Sequence, residues 1–128
     1  MTKPKTHRLG DLQLKIMTVL WDRTEATVSD VHQAVFSESD LAYTTVATML
    51  RKMEARGLVS HRSEGRSFVY RAAIAADEVS QSMADHLLNR LFQGSLAEMV
   101  NHLLTTREVS RDELSRLERL IAEKRKKS

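Results

Sequence analysis

Apolar residues recur along this chain with two different periods, and the points where the period changes mark its elements. Leu12, Ile16, Val19 and Leu20, ending at Trp21, hold the spacing of one helix face after a start at Leu9-Gly10-Asp11. A polar turn, Asp22-Arg23-Thr24-Glu25, leads into Ala26-Thr27-Val28, whose composition suits a very short strand. Thr27 or Ser29 then offers an N-cap for a helix carrying Val31, Ala34, Val35 and Phe36. After a loop at 37–40, Val46, Met49, Leu50 and Met53 stand at i, i+3, i+4 and i+7, which predicts a helix over 42–57 closed by Gly57 as a left-handed C-cap.

Beyond Gly57 the residue types change to those of strands. Leu58-Val59-Ser60-His61-Arg62 and Ser67-Phe68-Val69-Tyr70-Arg71 are β-rich runs around Ser63-Glu64-Gly65-Arg66, a hairpin turn in which Gly65 supplies positive φ. From Asp77 the pattern is helical to the end. One helix at about 78–93 carries Val79, Met83, Leu87, Leu88, Leu91 and Phe92. A second at about 95–105 carries Leu96, Met99, Val100, Leu103 and Leu104, and a third at about 110–126 carries Val109, Leu114, Leu117, Leu120 and Ile121.

Three helices and then a hairpin is the element order of a winged helix-turn-helix. The expected fold is therefore mainly α: a winged helix-turn-helix DNA-binding domain over 1–75, built from three helices plus a β-hairpin wing, followed by a three-helix dimerisation region over 76–128. Short helices totalling roughly 50 residues hardly make an independent core, so their stripes either pack on the winged domain or pair with a second copy. Pairing is the expectation, because a two-fold axis lets one protein read two half-sites. The dimerisation set is then Val79, Met83, Leu87, Leu88, Leu91, Phe92, Leu96, Met99, Val100, Leu103, Leu114, Leu117, Leu120 and Ile121.

The chemistry lies on the helix before the hairpin. Its polar face carries Thr44, Thr48, Arg51 and Ala55, flanked by Thr45 and Lys52, with hydroxyls and cations but no carboxylate. Hydroxyls reach phosphates and base edges, while Arg and Lys neutralise phosphates or fork onto guanine. A solvated polar face is the default for any amphipathic helix; a basic hairpin directly behind it shifts the reading toward DNA. The expected DNA-contacting residues are Tyr43, Thr44, Thr45, Thr48, Arg51 and Lys52, with Arg62 and Arg66 from the hairpin. A winged-helix module that binds protein instead would show a carboxylate-bearing or apolar face there.

Charge placement supports the first reading more than net charge does. The formal balance over 128 residues is only +3, but residues 1–75 hold 11 Lys/Arg against 8 Asp/Glu and residues 76–128 hold 9 of each. Within 43–71, Arg51, Lys52, Arg56, Arg62, Arg66 and Arg71 face Glu54 and Glu64 alone. Residues 1–8, with Lys3, Lys5 and Arg8, read as a flexible arm, and Lys124-Arg125-Lys126-Lys127 as a solvated tail suited to a helix C-terminus.

Cysteine is absent, so neither disulfides nor thiolate metal sites form, and a reducing cytoplasm is the expected compartment. No apolar run reaches transmembrane length, and the N-terminus lacks a signal-peptide core, so no membrane insertion is expected. His7, His32, His61, His86 and His102 stand singly, without HExxH spacing or an acidic ligand cluster. No phosphate-binding glycine loop and no Gly-x-Ser-x-Gly elbow is present, so no catalytic residue, metal or cofactor is expected.

These residues together resemble a known family. Leu9-Gly10-Asp11-Leu12, Met17 through Trp21, Thr27-Val28-Ser29-Asp30-Val31-His32 and Ala42-Tyr43-Thr44-Thr45-Val46-Ala47-Thr48-Met49-Leu50 are similar to the penicillinase repressor family, BlaI/MecI/CopY. So are Glu54-Ala55-Arg56-Gly57-Leu58-Val59, Phe68-Val69-Tyr70-Arg71 and Leu88-Asn89-Arg90-Leu91-Phe92, and the resemblance covers about residues 8–122. It implies a homodimeric transcriptional repressor that binds inverted repeats of TACA/TGTA type on double-stranded DNA, with Thr45 and Thr48 at the positions of DNA-contacting threonines. Some members carry Lys and Arg where this chain has Thr44 and Ala47, and the copper-responsive branch ends in a Cys-x-Cys pattern that this chain lacks. The resemblance further implies inactivation by a membrane-bound sensor metalloprotease. Counted without gaps, the cut falls at His102-Leu103, with Asn101 one residue before the position of the family's asparagine.

Overall fold

The computed structural model describes residues 9–36 and 40–128; the expected arm at 1–8 and most of the expected loop at 37–40 lie outside the described residues. The chain divides into two compact units, Met1–His86 and Leu87–Ser128. The first contains α1 (Asp11–Arg23), β1 (Glu25–Thr27), α2 (Val28–Phe36), α3 (Tyr43–Ala55), β2 (Val59–Glu64) and β3 (Ser67–Ala72). It also holds the first turns of α4 (Ala76–Phe92), which runs on into the second unit with α5 (Leu96–Thr106) and α6 (Arg111–Lys127). The expected division at 75/76 coincides with the start of α4. The first unit extends to His86 and includes Val79, one turn into that helix, which is buried at 1% exposure.

Local chemistry fixes each boundary of the winged unit. Of the two candidate caps, Thr27 is the one used: its Oγ1 accepts from the Asp30 N–H at 3.1 Å and its own N–H donates to Asp30 Oδ2 at 3.0 Å. That reciprocal pair starts α2 at Val28, so the short strand ends one residue earlier than expected. Gly57, at φ +77°, closes α3 as expected. Its N–H donates to the Glu54 carbonyl at 2.9 Å and the Leu58 N–H to the Met53 carbonyl at 3.0 Å, a complete Schellman motif. The apolar contact that usually accompanies the motif is available here, since Met53 and Leu58 are both buried.

The sheet has the order β1-β3-β2, antiparallel throughout. Ser63 and Glu64, expected in the turn, belong to β2: Glu64 pairs with Ser67, leaving Gly65-Arg66 as a two-residue turn. Gly65 has φ +61° and Arg66 does not share a positive φ, the pattern of a type II′ hairpin. Only a turn twisted in that sense joins the strands without splaying them.

The core collects the stripes read from the sequence. Ile16, Met17 and Leu20 of α1, Val31 and Val35 of α2, and Val46, Leu50 and Met53 of α3 close over Ala26, Leu58, Val59 and Tyr70. Each buried aliphatic of this size contributes roughly 1.5–3 kcal/mol, enough to fix the three helices on the sheet. Trp21, half-buried at the end of α1, donates its indole N–H to the Ile74 carbonyl at 3.0 Å and so ties the chain after the wing to the first helix.

The second unit differs in kind. Among the described residues α5 and α6 bury none of their side chains, although both have Ser caps, Ser95 on the Glu98 N–H and Ser110 on the Glu113 N–H. Their stripes lie open, with Leu96 64% exposed and Ile121 53%. No helix among the described residues is long and apolar enough to cross a membrane.

Candidate nucleic-acid interface

Burial of Val46, Leu50 and Met53 sets the rotation of α3 and so decides what its outer face presents. Tyr43, Thr44, Thr45, Arg51 and Lys52 are exposed, and Thr48 is half-buried, its Oγ1 accepting from Arg51 Nη2 at 3.4 Å. Glu54, the helix's one acidic residue, is turned away from this face toward the wing, where His61 Nδ1 of β2 stands 2.7 Å from its Oε1. The helix is thus fastened to the wing at its C-terminal end. At the other end His32 of α2 donates from Nε2 to the Leu41 carbonyl at 2.8 Å, and its ring lies 5.7 Å from Tyr43. Gln13 of α1 braces the middle, its amide 3.4 Å from Met49 Sδ and its carbonyl accepting from Arg56 at 3.2 Å.

Tyr43, Arg51 and Arg66 come together on one groove of about 290 Å³ between α3, the start of α2 and the wing. Thr44, Thr45, Thr48 and Lys52 lie on the helix beside this groove rather than in its wall. Arg62 belongs elsewhere. Its guanidinium donates to Glu25 at 2.9 Å and to Glu64, and these two carboxylates, Glu64 first, raise its pKa further. These two ion pairs join the wing to β1, and Arg62 is not among the residues that line the groove.

The family model described as penicillinase repressor matches residues 9–123. The chain belongs to the penicillinase repressor family. Membership makes it a DNA-binding transcriptional repressor rather than an enzyme. Two relatives align along nearly all of it: a penicillinase repressor of Bacillus licheniformis is 28% identical over 93% of each chain. The transcriptional regulator BlaI of Mycobacterium tuberculosis is 38% identical over 93% of this chain and 86% of its own. Among solved structures, the DNA-binding domain of the repressor BlaI superposes with a TM-score of 0.52 at 28% identity, covering 59% of this chain and 93% of that one. Monomeric BlaI of Bacillus licheniformis in complex with the blaP half-operator gives 0.50 at 28% identity, covering 58% and 90%.

The groove of this penicillinase repressor family member includes residues that sequence reasoning passed over. Thr27 enters it from the end of β1, Val28 and Ser29 from the start of α2, Ala47 from α3, and Ser67, Phe68 and Tyr70 from β3. Phe68 had a signal available: a large apolar residue beside a polar turn, left exposed while its neighbours Val69 and Tyr70 are buried. Tyr70 forms the floor. Burial, with Glu54 adding to it, raises the pKa of its hydroxyl.

The residues matched to the cleavage region, Asn101, His102 and Leu103, are exposed in the interior of α5. The Asn101 and His102 carbonyls accept from the Thr105 hydroxyl at 2.9 and 3.1 Å, and His102 also accepts from Thr106 at 2.7 Å.

Proposed function

We propose that the chain represses transcription as a homodimer whose two winged units each occupy one half of an inverted-repeat operator in double-stranded DNA. Tyr43, Thr44, Thr45, Thr48, Arg51 and Lys52 of α3 read bases and phosphates, and Arg66 of the wing neutralises the adjoining backbone. The observation that carries the reading is the carboxylate-free outer face of α3 beside the cationic wing tip. A BlaI relative has been solved in complex with a half-operator, which supports operator DNA as the partner. The open stripes of α4, α5 and α6 support pairing, since Leu87, Leu91, Leu96, Leu103, Leu114, Leu120 and Ile121 form more exposed apolar surface than a single chain leaves without a partner. Met83, Leu88, Phe92, Met99, Val100 and Leu117 are half-buried and extend the same faces, whereas Val79 is already covered. Such a protein works in the cytoplasm.

The direct test is a mobility shift on the intergenic DNA upstream of the protein's own gene, with Thr48→Ala and Arg51→Ala beside the native chain. Thr48→Ala weakens binding by about 1 kcal/mol, and Arg51→Ala also lowers the salt slope by about one phosphate. If both variants bind like the native protein across a salt titration, α3 is not the reading helix.

Release by cleavage within α5, at 101–103, is the reading of that segment the family suggests, with a membrane-bound sensor metalloprotease as the cutting partner and a β-lactam as the inducing signal. A protease takes an extended substrate, so the carbonyls of Asn101 and His102 must first leave their Thr105 and Thr106 hydroxyls. Incubating the repressor with membranes from β-lactam-treated and untreated cells and weighing the fragments tests this. An intact chain in both, with repression nevertheless relieved, removes it.

A further inference from the structure

The groove between α3 and the wing holds a side chain with no role in the reading given so far. Phe68 is 46% exposed, on a strand whose next two residues are buried. It is not loose: the His61 ring lies 4.4 Å from the Phe68 ring, and the other side of that imidazole is fixed by Glu54, its Nδ1 2.7 and 2.9 Å from the two carboxylate oxygens. A continuous chain of contacts therefore runs from the end of α3 through His61 to Phe68. Across the groove stand Tyr43, Ala47 and Arg51, with Arg66 at the wing tip, and no lining residue is acidic.

The groove thus offers two guanidinium groups beside an apolar wall. A free anion would use the cations alone, whereas one strand of a nucleic-acid backbone uses both, phosphate oxygens toward the arginines and the C–H face of the adjoining sugar toward the ring. We propose that Phe68 is a DNA-backbone contact that packs on a deoxyribose of the operator, and that His61 and Glu54 are positioning residues that hold it there. The inference rests on α3 and the wing being the operator-binding surface. It also gives the one carboxylate of α3 a purpose: paired with His61, it faces the wing and props the aromatic ring instead of opposing the phosphates.

The test compares the native full-length protein with Phe68→Ala, His61→Ala, the double variant and Arg66→Ala on one operator fragment. Fluorescence anisotropy at several salt concentrations is read beside hydroxyl-radical footprinting, which reports deoxyribose exposure. Phe68→Ala is expected to bind about tenfold more weakly, the loss of partial burial of one aromatic side chain. Its salt slope stays that of the native protein, because an apolar group releases no counterion, and protection is lost at one or two sugars in each half-site. Arg66→Ala flattens the slope instead. His61→Ala weakens binding by less, and the double variant binds no worse than Phe68→Ala, since His61 acts through the ring; a merely structural role would weaken both backgrounds alike. Should Phe68→Ala melt below the assay temperature, Phe68→Leu replaces it, with the same footprint change and a smaller loss. Native affinity within about twofold and an unchanged footprint in the Phe68 variant overturn the contact while leaving the operator reading intact. Additive losses in the double variant overturn the positioning role. Failure of the native protein to bind the operator removes the operator reading, and this inference with it.

Discussion

Asp30 is held below the ordinary carboxylate range, first by the Thr27 backbone N–H and then by the Thr27 side chain. A carboxylate whose pKa is lower in the folded chain than in the unfolded one stabilises the fold above its unfolded value and loses that contribution as pH falls through the folded one. Asp30→Ala should therefore cost about 1 kcal/mol near neutral pH, the usual size of an N-terminal capping loss. The difference from the native chain should narrow in urea melts carried downward through the carboxylate range. A difference that stays constant with pH would show that the ionised carboxylate contributes nothing and that the loss is one of packing. At this scale the sequence was only half legible. Thr27 and Ser29 were both chemically fit to cap α2, and only the position of Asp30 three residues past Thr27 made one of them reciprocal. The ion pair of Arg62 was not legible for a different reason: Glu25 lies 37 residues away along the chain and meets it only once β1 has joined β3.

Elements were more legible than their joints. The stripe 46, 49, 50, 53 predicted α3, and the same residues form its buried side, with Met49 half-buried, because a helix face that must be covered announces itself by its period. The wing was expected from composition, yet its register was not. Ser63 and Glu64 look like turn residues, but Gly65 at the first position of a two-residue turn is enough to reverse the chain, so the polar pair is drawn into β2. Alternation also fails in β3, the central strand, where the consecutive residues Val69 and Tyr70 are both buried. Gly57 is the joint on which the candidate interface depends, since it turns the chain directly from α3 into the wing. At φ +77° a Cβ there is strained, so Gly57→Ala should destabilise the fold by about 1–2 kcal/mol in thermal or urea melts. The variant should also weaken operator binding beyond its loss of stability, because the Glu54–His61 pair spans the turn. Wild-type stability would mean that the Schellman geometry is not what closes α3.

Across the whole molecule, a valine and a leucine of the same helix answer different questions. Val79 is 1% exposed and Leu91 63%, although both sit on the apolar stripe of α4 and both were read from the sequence as dimer contacts. Periodicity told that the stripe must be covered; it carried no information on whether the cover comes from the same chain or from another. Substituting aspartate separates the two cases. An unpaired carboxylate forced into an apolar setting costs several kcal/mol, so Val79→Asp should lower the melting temperature of the winged unit in the monomer and dimer alike. Leu91→Asp places its charge in water as long as the chain is alone, so the fold should survive and only the association should fail. Sedimentation equilibrium then shows a monomer at concentrations where the native protein pairs. Affinity for the full operator falls toward that of a single half-site, a loss of about a hundredfold or more when the second half-site is no longer held at high effective concentration. The half-site affinity itself should not change, because the substitution leaves the residues of α3 and the wing as they are. If Leu91→Asp sediments and binds like the native protein, the open face of α4 does not mediate pairing, and the two half-sites are read by independent chains.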